Sequence, residues 1–228
     1  MIQTVLLDLD DTILDFHKAE GIALRKALSE MDVTISDAVA ERYSEINAAQ
    51  WRALERGEIT RQQVLTRRFQ FLYAELGLER SPEETQKRYE RYLSQGHYFL
   101  PGAEALLEAL YQKYDLYLVS NGNAVVQAGR LKSANISYFF REIFISEHIG
   151  ADKPSREYFD RCFARIPGFQ KETAILVGDS LTSDIRGGIN AGVRTCWFNP
   201  NHKPRNPEIP PDYEIDKLSD LPPLLERI

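Results

Sequence analysis

Cysteine is scarce in this chain of 228 residues, and long runs of apolar residues are absent from it. Its two cysteines, Cys162 and Cys196, are not spaced as metal ligands, so we expect buried, reduced thiols. No apolar run reaches the length that spans a membrane. The first predicted strand begins almost at Met1, which leaves no room for a signal peptide. These observations predict a cytoplasmic protein with no membrane partner.

The chain also lacks a strong excess of one charge. Its net charge is −6, and acidic and basic residues are interleaved, so neither a nucleic-acid-binding face nor an acidic tail is indicated. Internal repeats and low-complexity segments are absent. Hydrophobic residues make up 43% of the chain and charged residues 27%, which is ordinary for a globular protein. The length suits one sizeable core, or a core domain with an insert.

The most informative segment is Thr4–Thr12, where a short apolar run ends in Asp8, Asp10 and Asp11. The apolar run is typical of a strand that is buried on both faces. Clustered carboxylates at the end of such a strand cost free energy unless a cation lies there. Asp8 and Asp10 are two positions apart, so on a regular strand they would point the same way. Taken alone, the segment could instead be a turn that caps the following helix.

A long helical region follows, with no predicted strand between residues 16 and 100. Apolar residues recur at helical spacing, Thr60 and Gln63 form a capping box, and Ser81-Pro82 is a typical helix start. The predicted helices are Phe16–Met31, Ser36–Arg56, Thr60–Gly77 and one that opens at Ser81. We therefore expect a four-helix insert at residues 16–100, within a core domain formed by residues 1–15 and 101–228.

After Leu100-Pro101-Gly102, helices and strands alternate to the end of the chain. This alternation predicts an α/β fold with a doubly wound, parallel, Rossmann-like sheet. The predicted strands are Leu116–Val119, Ile143–Ser146, Ala174–Val177, Thr195–Phe198 and a weak strand near Glu214-Ile215. Because the carboxyl ends of parallel strands lie at one edge, the polar residues that follow them should converge there.

Chemically useful side chains follow four of these strands. Ser120 and Asn121 follow the second strand, Lys153 follows the third, and Asp179 and Asp184 follow the fourth. Together with the carboxylates after the first strand, this set suits phosphoryl transfer from a phosphate ester bound to Mg²⁺. Hard oxygen ligands and only 4 histidines favour Mg²⁺ over zinc.

These motifs resemble those of the haloacid dehalogenase superfamily, whose signatures occur in the same order. They are Asp8-Leu9-Asp10-Asp11-Thr12, Ser120-Asn121-Gly122, Lys153-Pro154 and Gly178-Asp179-Ser180-Leu181-Thr182-Ser183-Asp184. The helical insert occupies the position of the α-helical cap in that superfamily, and the resemblance covers essentially the whole chain. Segments 146–154, 184–188, 196–200 and 10–16 further resemble the house-cleaning pyrimidine 5′-nucleotidase branch.

The resemblance implies a role for each of three carboxylates. Asp8 would be the nucleophile that forms an aspartyl-phosphate. Asp10 would act as a general acid toward the leaving group and then as a general base toward water. Mg²⁺ would be held by a carboxylate oxygen of Asp8, the backbone carbonyl of Asp10 and a carboxylate oxygen of Asp179.

The resemblance also implies which residues bind the phosphate and which support the site. Ser120, Asn121 and Lys153 would bind the substrate phosphate, and Ser120 and Lys153 would count among the catalytic residues. Asp184 would orient Lys153 or a metal-bound water, and Thr12 would hydrogen-bond near Asp10 and set its angle.

The implied function is that of a Mg²⁺-dependent phosphomonoesterase for a small metabolite, a pyrimidine nucleoside monophosphate, in a monomer or homodimer. The helical cap would select the substrate. Alternatives are a phosphatase for phosphoglycolate or a sugar phosphate, a phosphomutase, and a catalytically silent binding module. A dehalogenase has no need of an acid or base at the position of Asp10, which argues against that activity.

Overall fold

The computed structural model describes residues 1–228 and contains a six-stranded sheet in the order β3-β2-β1-β4-β5-β6. Every neighbouring pair of strands is parallel. The strands are β1 (Thr4–Leu7), β2 (Asp115–Ser120), β3 (Glu142–Ile145), β4 (Ala174–Gly178), β5 (Arg194–Phe198) and β6 (Tyr213–Ile215). The chain winds outward from β1 in both directions, which confirms the predicted doubly wound parallel sheet.

Short apolar strands build the centre of this sheet. All four residues of β1 and all five of β4 are buried, as expected for strands covered on both faces. The last residue of β1, Leu7, lies between Leu118 of β2 and Val177 of β4. Asp8 extends the pairing of β1 with β4 by one hydrogen bond, because its backbone N–H donates to the carbonyl of Val177 at 3.0 Å. The register thus places Asp8 at the carboxyl edge of the sheet.

Ten α-helices accompany the strands, and four of them, among them α3 (Arg61–Leu76), begin after a serine or threonine whose hydroxyl accepts a hydrogen bond from a backbone N–H of the first turn. The predicted capping box of α3 is present, with Thr60 and Gln63 each bonding the other's backbone N–H. The helices are α1 (Phe16–Ser29), α2 (Asp37–Glu55), α3 (Arg61–Leu76), α4 (Pro82–Leu93), α5 (Ala103–Tyr111), α6 (Ala124–Ala134), α7 (Ser146–Ile149), α8 (Arg156–Phe163), α9 (Arg186–Ala191) and α10 (Leu221–Leu225).

The chain divides into two compact units. One consists of Met1–Asp15, Phe99–Ala124 and Ala134–Ile228, and contains the sheet. The other consists of Phe16–Tyr98 and Val125–Ser133, and is entirely helical. It therefore includes most of α6 in addition to the four helices of the predicted insert.

Aromatic and apolar side chains form the core of the helical unit. Tyr43, Phe69 and Tyr89 pack against one another with ring centroids 5.3–5.8 Å apart. Val126 of α6 belongs to the same buried cluster, and this contact explains why the structure groups α6 with this unit. Beside the rings, the buried guanidinium of Arg68 donates to the amide oxygens of Asn47 at 2.9 Å and Gln86 at 2.6 Å, so two of its nitrogens are hydrogen-bonded.

The core of the sheet-containing unit is formed by strand residues and by side chains of α8. Leu6 and Leu176 from the central strands join Tyr158, Phe159 and Cys162 from α8 in one buried cluster. Both cysteines are buried and unpaired, as predicted. No helix of the chain has both the length and the apolar character required to cross a membrane.

Two local predictions are wrong in detail. The third strand ends at Ile145, and Ser146 begins the short helix α7 instead of closing the strand. The sequence also predicts a helix over Asp184–Ala191, whereas the helical turns begin earlier, with a π-turn over Leu181–Ile185 that leads into α9. The π-turn follows Ser180, whose hydroxyl accepts a hydrogen bond from the Ser183 N–H at 3.1 Å.

Candidate active site

Asp8 leads into a tight turn at the end of β1. Its side chain is almost fully buried, whereas Asp10 is partly exposed. Asp11 adopts a left-handed backbone with φ of 58°, and its N–H donates to the carbonyl of Leu14 at 2.8 Å. The segment is therefore both a strand end and a turn, with Asp8 in the first role and Asp11 in the second.

Lys153 is the buried cation of the site, with a side chain only 2% exposed. Its ammonium donates to Oδ1 of Asp8 at 2.7 Å, to Oδ1 of Asp184 at 2.7 Å and to the carbonyl of Val119 at 3.0 Å. Burial lowers the pKa of Lys153, but the charges of Asp184 and Asp8 outweigh it and raise that pKa above its usual value. Lys153 therefore remains a cation and fixes one oxygen of each carboxylate.

Three carboxylates meet beside this lysine. Asp8, Asp179 and Asp184 each offer an oxygen, and these oxygens all lie within 4.8 Å of one another. Burial chiefly raises the pKa of Asp8 to about 8, and Lys153 opposes the repulsion from Asp184 and Asp10. Burial likewise raises the pKa of Asp179 well above its usual value, with Asp184 and Asp8 adding to the effect. Closely spaced hard oxygen donors fit a divalent cation such as Mg²⁺, whose charge would favour the ionised carboxylates.

The end of β4 and its neighbours hold these two later carboxylates in place. The indole N–H of the buried Trp197 donates to the backbone carbonyl of Asp179 at 2.8 Å. The N–H of Ser180 donates to Oδ2 of Asp184 at 3.1 Å. A Cβ atom at Gly178 would lie 2.2 Å from that same Oδ2, so a residue with a side chain would displace Asp184. Glycine is thus required here by a close approach to a functional carboxylate.

The two residues predicted to follow β2 as phosphate ligands have different surroundings. Ser120 is 1% exposed, and its hydroxyl accepts a hydrogen bond from the N–H of Gly122 at 3.0 Å. The Asn121 carboxamide is engaged with the backbone of Lys153: its Nδ2 donates to the Lys153 carbonyl, and its Oδ1 accepts from the Lys153 N–H, both at 2.8 Å. In this arrangement the Asn121 carboxamide holds the backbone of Lys153, and its contact with the substrate phosphate stays a prediction.

Thr12 does not make the contact that the sequence suggested. It is fully buried, and its hydroxyl has no hydrogen-bond partner. The expected hydrogen bond toward Asp10 is therefore not formed.

Two residues at or near the site, Lys203 and Glu147, were not predicted from the sequence. The ammonium of Lys203 lies 3.5 Å from Oδ2 of Asp179. Glu147 accepts a hydrogen bond from the N–H of Ala124 at 3.0 Å, at the start of α6. No sequence signal marks Lys203, because it lies in a proline-rich loop 24 positions from its partner. Glu147 lies inside segment 146–154, whose resemblance to the nucleotidase branch implies no role for this residue.

The edge of the sheet thus gathers a nucleophile candidate, a buried lysine and an acidic cluster that can hold a cation. The haloacid dehalogenase-like hydrolase family matches residues 5–198, and the chain belongs to this family. It is therefore an enzyme of the hydrolase class, and the resemblance read from its motifs is confirmed.

Two curated relatives and one solved structure are similar over nearly their whole length. The pyrimidine 5′-nucleotidase PynA of Streptococcus pneumoniae is 38% identical, over 98% of this chain and 94% of the relative. The pyrimidine 5′-nucleotidase YjjG of Escherichia coli is 29% identical, over 97% of this chain and 96% of the relative. The crystal structure of the HAD-hydrolase-like protein YfnB of Bacillus subtilis, bound to magnesium, is 44% identical with a TM-score of 0.94 and covers 98% of both chains.

Proposed function

We propose that this protein is a Mg²⁺-dependent phosphomonoesterase that acts on pyrimidine nucleoside 5′-monophosphates through a phosphorylated Asp8. The observation that carries the proposal is the contact of the Asp8 carboxylate with Lys153, at 2.7 Å, inside a cluster of three carboxylates. A buried carboxylate with one oxygen fixed by a lysine presents its other oxygen in a defined direction. That is the requirement for in-line attack on phosphorus.

The proposed metal site uses residues of this cluster. Carboxylate oxygens of Asp8 and Asp179 and the backbone carbonyl of Asp10 would hold Mg²⁺, with Asp184 close enough to hold a metal-bound water. When bound, Mg²⁺ would supply positive charge to the phosphoryl oxygens and offset the repulsion among the carboxylates. Burial raises the pKa values of Asp8 and Asp179, yet a nucleophilic carboxylate must be ionised to react. A bound cation would favour the ionised forms, which supports this assignment.

In the first half of the reaction, an oxygen of Asp8 forms a bond to phosphorus, and the bond between phosphorus and the ester oxygen breaks. The leaving alkoxide takes a proton from the carboxyl group of Asp10. Lys153 orients Asp8, and the hydroxyl of Ser120 donates to a phosphoryl oxygen. The product of this half is aspartyl-phosphate at Asp8 and a free alcohol.

In the second half, Asp10 acts as the base. Its carboxylate takes a proton from a water molecule as the water oxygen bonds to phosphorus, and the bond from Asp8 to phosphorus breaks. Inorganic phosphate leaves, Asp8 regains its carboxylate and Asp10 regains its proton. A dehalogenase would not use an acid at the position of Asp10, so this residue supports phosphatase chemistry.

The substrate proposal is supported by the two nucleotidase relatives. The sheet-containing unit supplies groups for the phosphate, which all phosphomonoesters share. Selection among esters is then assigned to the helical unit, which corresponds to the cap of the family. PynA and YjjG align along almost the whole chain, helical unit included.

A phosphate-release screen tests the substrate proposal. The protein would be assayed with Mg²⁺ against pyrimidine and purine nucleoside monophosphates, sugar phosphates and phosphoglycolate, and ranked by kcat/KM. We expect pyrimidine nucleotides first, purine nucleotides second, and the sugar phosphates and phosphoglycolate below them. Phosphoglycolate or a hexose phosphate at the top by a wide margin would contradict the nucleotidase assignment. Little net phosphate release, together with a need for a bisphosphate activator, would indicate a phosphomutase.

A further inference from the structure

Lys203 is a second lysine at the acidic cluster, and the proposed mechanism gives it no part. Its ammonium lies 3.5 Å from Oδ2 of Asp179, and its side chain is about half exposed, at 53%. Lys153 donates to the other two carboxylates of the cluster, Asp8 and Asp184. The two lysines thus contact different members of the cluster, one from inside the protein and one from its surface.

The backbone of Lys203 is held in position by a buried residue. Asn199, which is 2% exposed, accepts from the N–H of Lys203 at 2.8 Å and donates to its carbonyl at 3.1 Å. Asn199 is itself fixed, because its N–H donates to the carbonyl of Ile215 at 2.8 Å and its carboxamide donates to Glu214 at 2.7 Å. The loop after β5 therefore presents Lys203 from a rigid base, not from a free end.

The same strand also supports Asp179 directly. Trp197 of β5 donates to the backbone carbonyl of Asp179, and Lys203, in the loop after β5, lies beside the Asp179 carboxylate. Residues of β5 and of the loop that follows it therefore contact both the backbone and the charged group of Asp179. A fixed cation beside a metal-binding carboxylate repels a divalent ion and reduces the charge that attracts it. Its effect is weakened by salt, since Lys203 is partly exposed to solvent.

We propose that Lys203 sets the affinity of the Asp8–Asp179–Asp184 cluster for Mg²⁺, holding it weaker than the carboxylates alone would make it. The inference rests on the proposed metal site. Three carboxylates and one buried lysine leave the cluster with an excess of negative charge, which favours tight and unselective binding of divalent cations. Lys203 offsets part of that excess without entering the ligand set.

The test measures Mg²⁺ binding itself, by isothermal titration calorimetry with MgCl₂ at low ionic strength. Lys203→Met removes the charge and keeps an apolar stem, and Lys203→Arg keeps the charge. Lys113→Met is the matched control, because Lys113 is similarly exposed and pairs with a carboxylate, Glu226, that is not part of the cluster. Thermal unfolding confirms that each variant is folded, and Lys203→Gln replaces Lys203→Met if the latter is unstable.

We expect Lys203→Met to bind Mg²⁺ about three- to tenfold more tightly than the unaltered protein, with the difference shrinking in about 0.5 M salt. Lys203→Arg and Lys113→Met should stay within about twofold of the unaltered protein, since the local charge is conserved in each. An unchanged or weaker affinity in Lys203→Met would overturn the role given to Lys203 and leave the metal site standing. Failure of the unaltered protein to bind Mg²⁺ would overturn the metal site and this inference together.

Discussion

At the residue scale, the site depends on how Lys153 is shared. Two carboxylates at 2.7 Å and a backbone carbonyl at 3.0 Å use all three of its protons. A buried ion pair is tolerated only when its partners are well placed, and the loss of one partner leaves a charge without compensation. In the arrangement of Asp8, Lys153 and Asp184, removal of the lysine would therefore leave two buried carboxylates without their shared cation.

Replacing Asp8 tests the nucleophile. Asp8→Asn keeps the shape of the side chain and an oxygen for Lys153, but it removes the anionic oxygen that would attack phosphorus. We expect phosphate release to fall by about three orders of magnitude or more. Folding should remain intact, since the substitution also relieves repulsion within the cluster. Phosphate-release assays and thermal unfolding check both statements, and substantial activity in a preparation free of the unaltered enzyme would end the covalent mechanism.

The raised pKa values of Asp8 and Asp179 predict that protons compete with Mg²⁺. Both carboxyls must lose their protons to bind the metal, and burial raises the pKa of Asp8 to about 8. Below that pH the proton occupies the site, so Mg²⁺ affinity should rise as the pH increases from about 6 to 8. Calorimetric titrations in two buffers of different ionisation enthalpy should also detect proton release on binding. An affinity that is constant over this range would show that these carboxyls are already ionised.

The residue types of the site could be predicted from the sequence, but several of their contacts could not. Motif order places Asp8, Lys153 and Asp179 at one sheet edge without any structure. The role of Asn121 depends on where the backbone of Lys153 passes, 32 positions later, and no local pattern encodes that approach. Thr12 differs from the expectation, and Lys203 is not marked by the sequence, for the same reason: tertiary packing determines the partners of both side chains.

At the element scale, strong local signals gave the correct secondary structure. The capping chemistry at Thr60 and Ser81 predicted the starts of α3 and α4, since a side chain that accepts from the backbone acts within one turn. The π-turn before α9 was not predictable, because its start depends on the Ser180 hydroxyl and on Asp184 reaching back toward Gly178. The grouping of α6 with the helical unit likewise depends on buried contacts such as that of Val126.

A close approach explains part of that grouping. A Cβ atom at Gly129 of α6 would lie 2.7 Å from the Ser94 carbonyl, just after α4. The fully buried Arg130 donates to the carbonyl of Gly96 at 2.9 Å. Helix α6 thus packs on the helical unit by backbone contact, although it follows the strand that carries Ser120.

The proposed division of labour, with substrate selection in the helical unit, predicts how a substitution in that unit will act. His17 is a suitable first position, because it lies one residue inside this unit, its side chain is 71% exposed, and its Nδ1 lies 3.3 Å from the Ser44 hydroxyl. Under the proposed division of labour, we expect His17→Ala to lower kcat/KM for a pyrimidine nucleotide about fivefold, the size of effect that the loss of one hydrogen bond has. Hydrolysis of a small aryl phosphate should remain within about twofold, since it presents only the phosphate.

The control for this substitution is Glu83→Ala, an exposed position in the first turn of α4. It should leave both substrates unaffected. Equal losses for the nucleotide and the aryl phosphate in His17→Ala would mean that the residue acts on the shared chemistry or on folding. His17 would then not support the proposal that the helical unit selects the substrate.

At the scale of the whole molecule, the order of the strands determines which side chains meet at the site. Strand β1 lies between β2 and β4, so Asp8, Ser120 and Asp179 lie at the ends of three adjacent strands, at one edge of the sheet. The alternation of helices and strands predicted this convergence, because parallel strands share a carboxyl edge. It could not predict the distances that make the cluster a metal site, which depend on the turns after each strand.

The central claim is that this edge hydrolyses phosphate esters with Mg²⁺ held by its carboxylates. The most direct measurement is phosphate release from a pyrimidine nucleoside monophosphate by the intact protein, first after exhaustive chelation and then after Mg²⁺ is restored. We predict activity that falls to background on chelation and recovers with Mg²⁺, and no recovery in Asp179→Asn under the same Mg²⁺ concentration. Full activity in the chelated protein, or undiminished recovery in Asp179→Asn, would contradict the account.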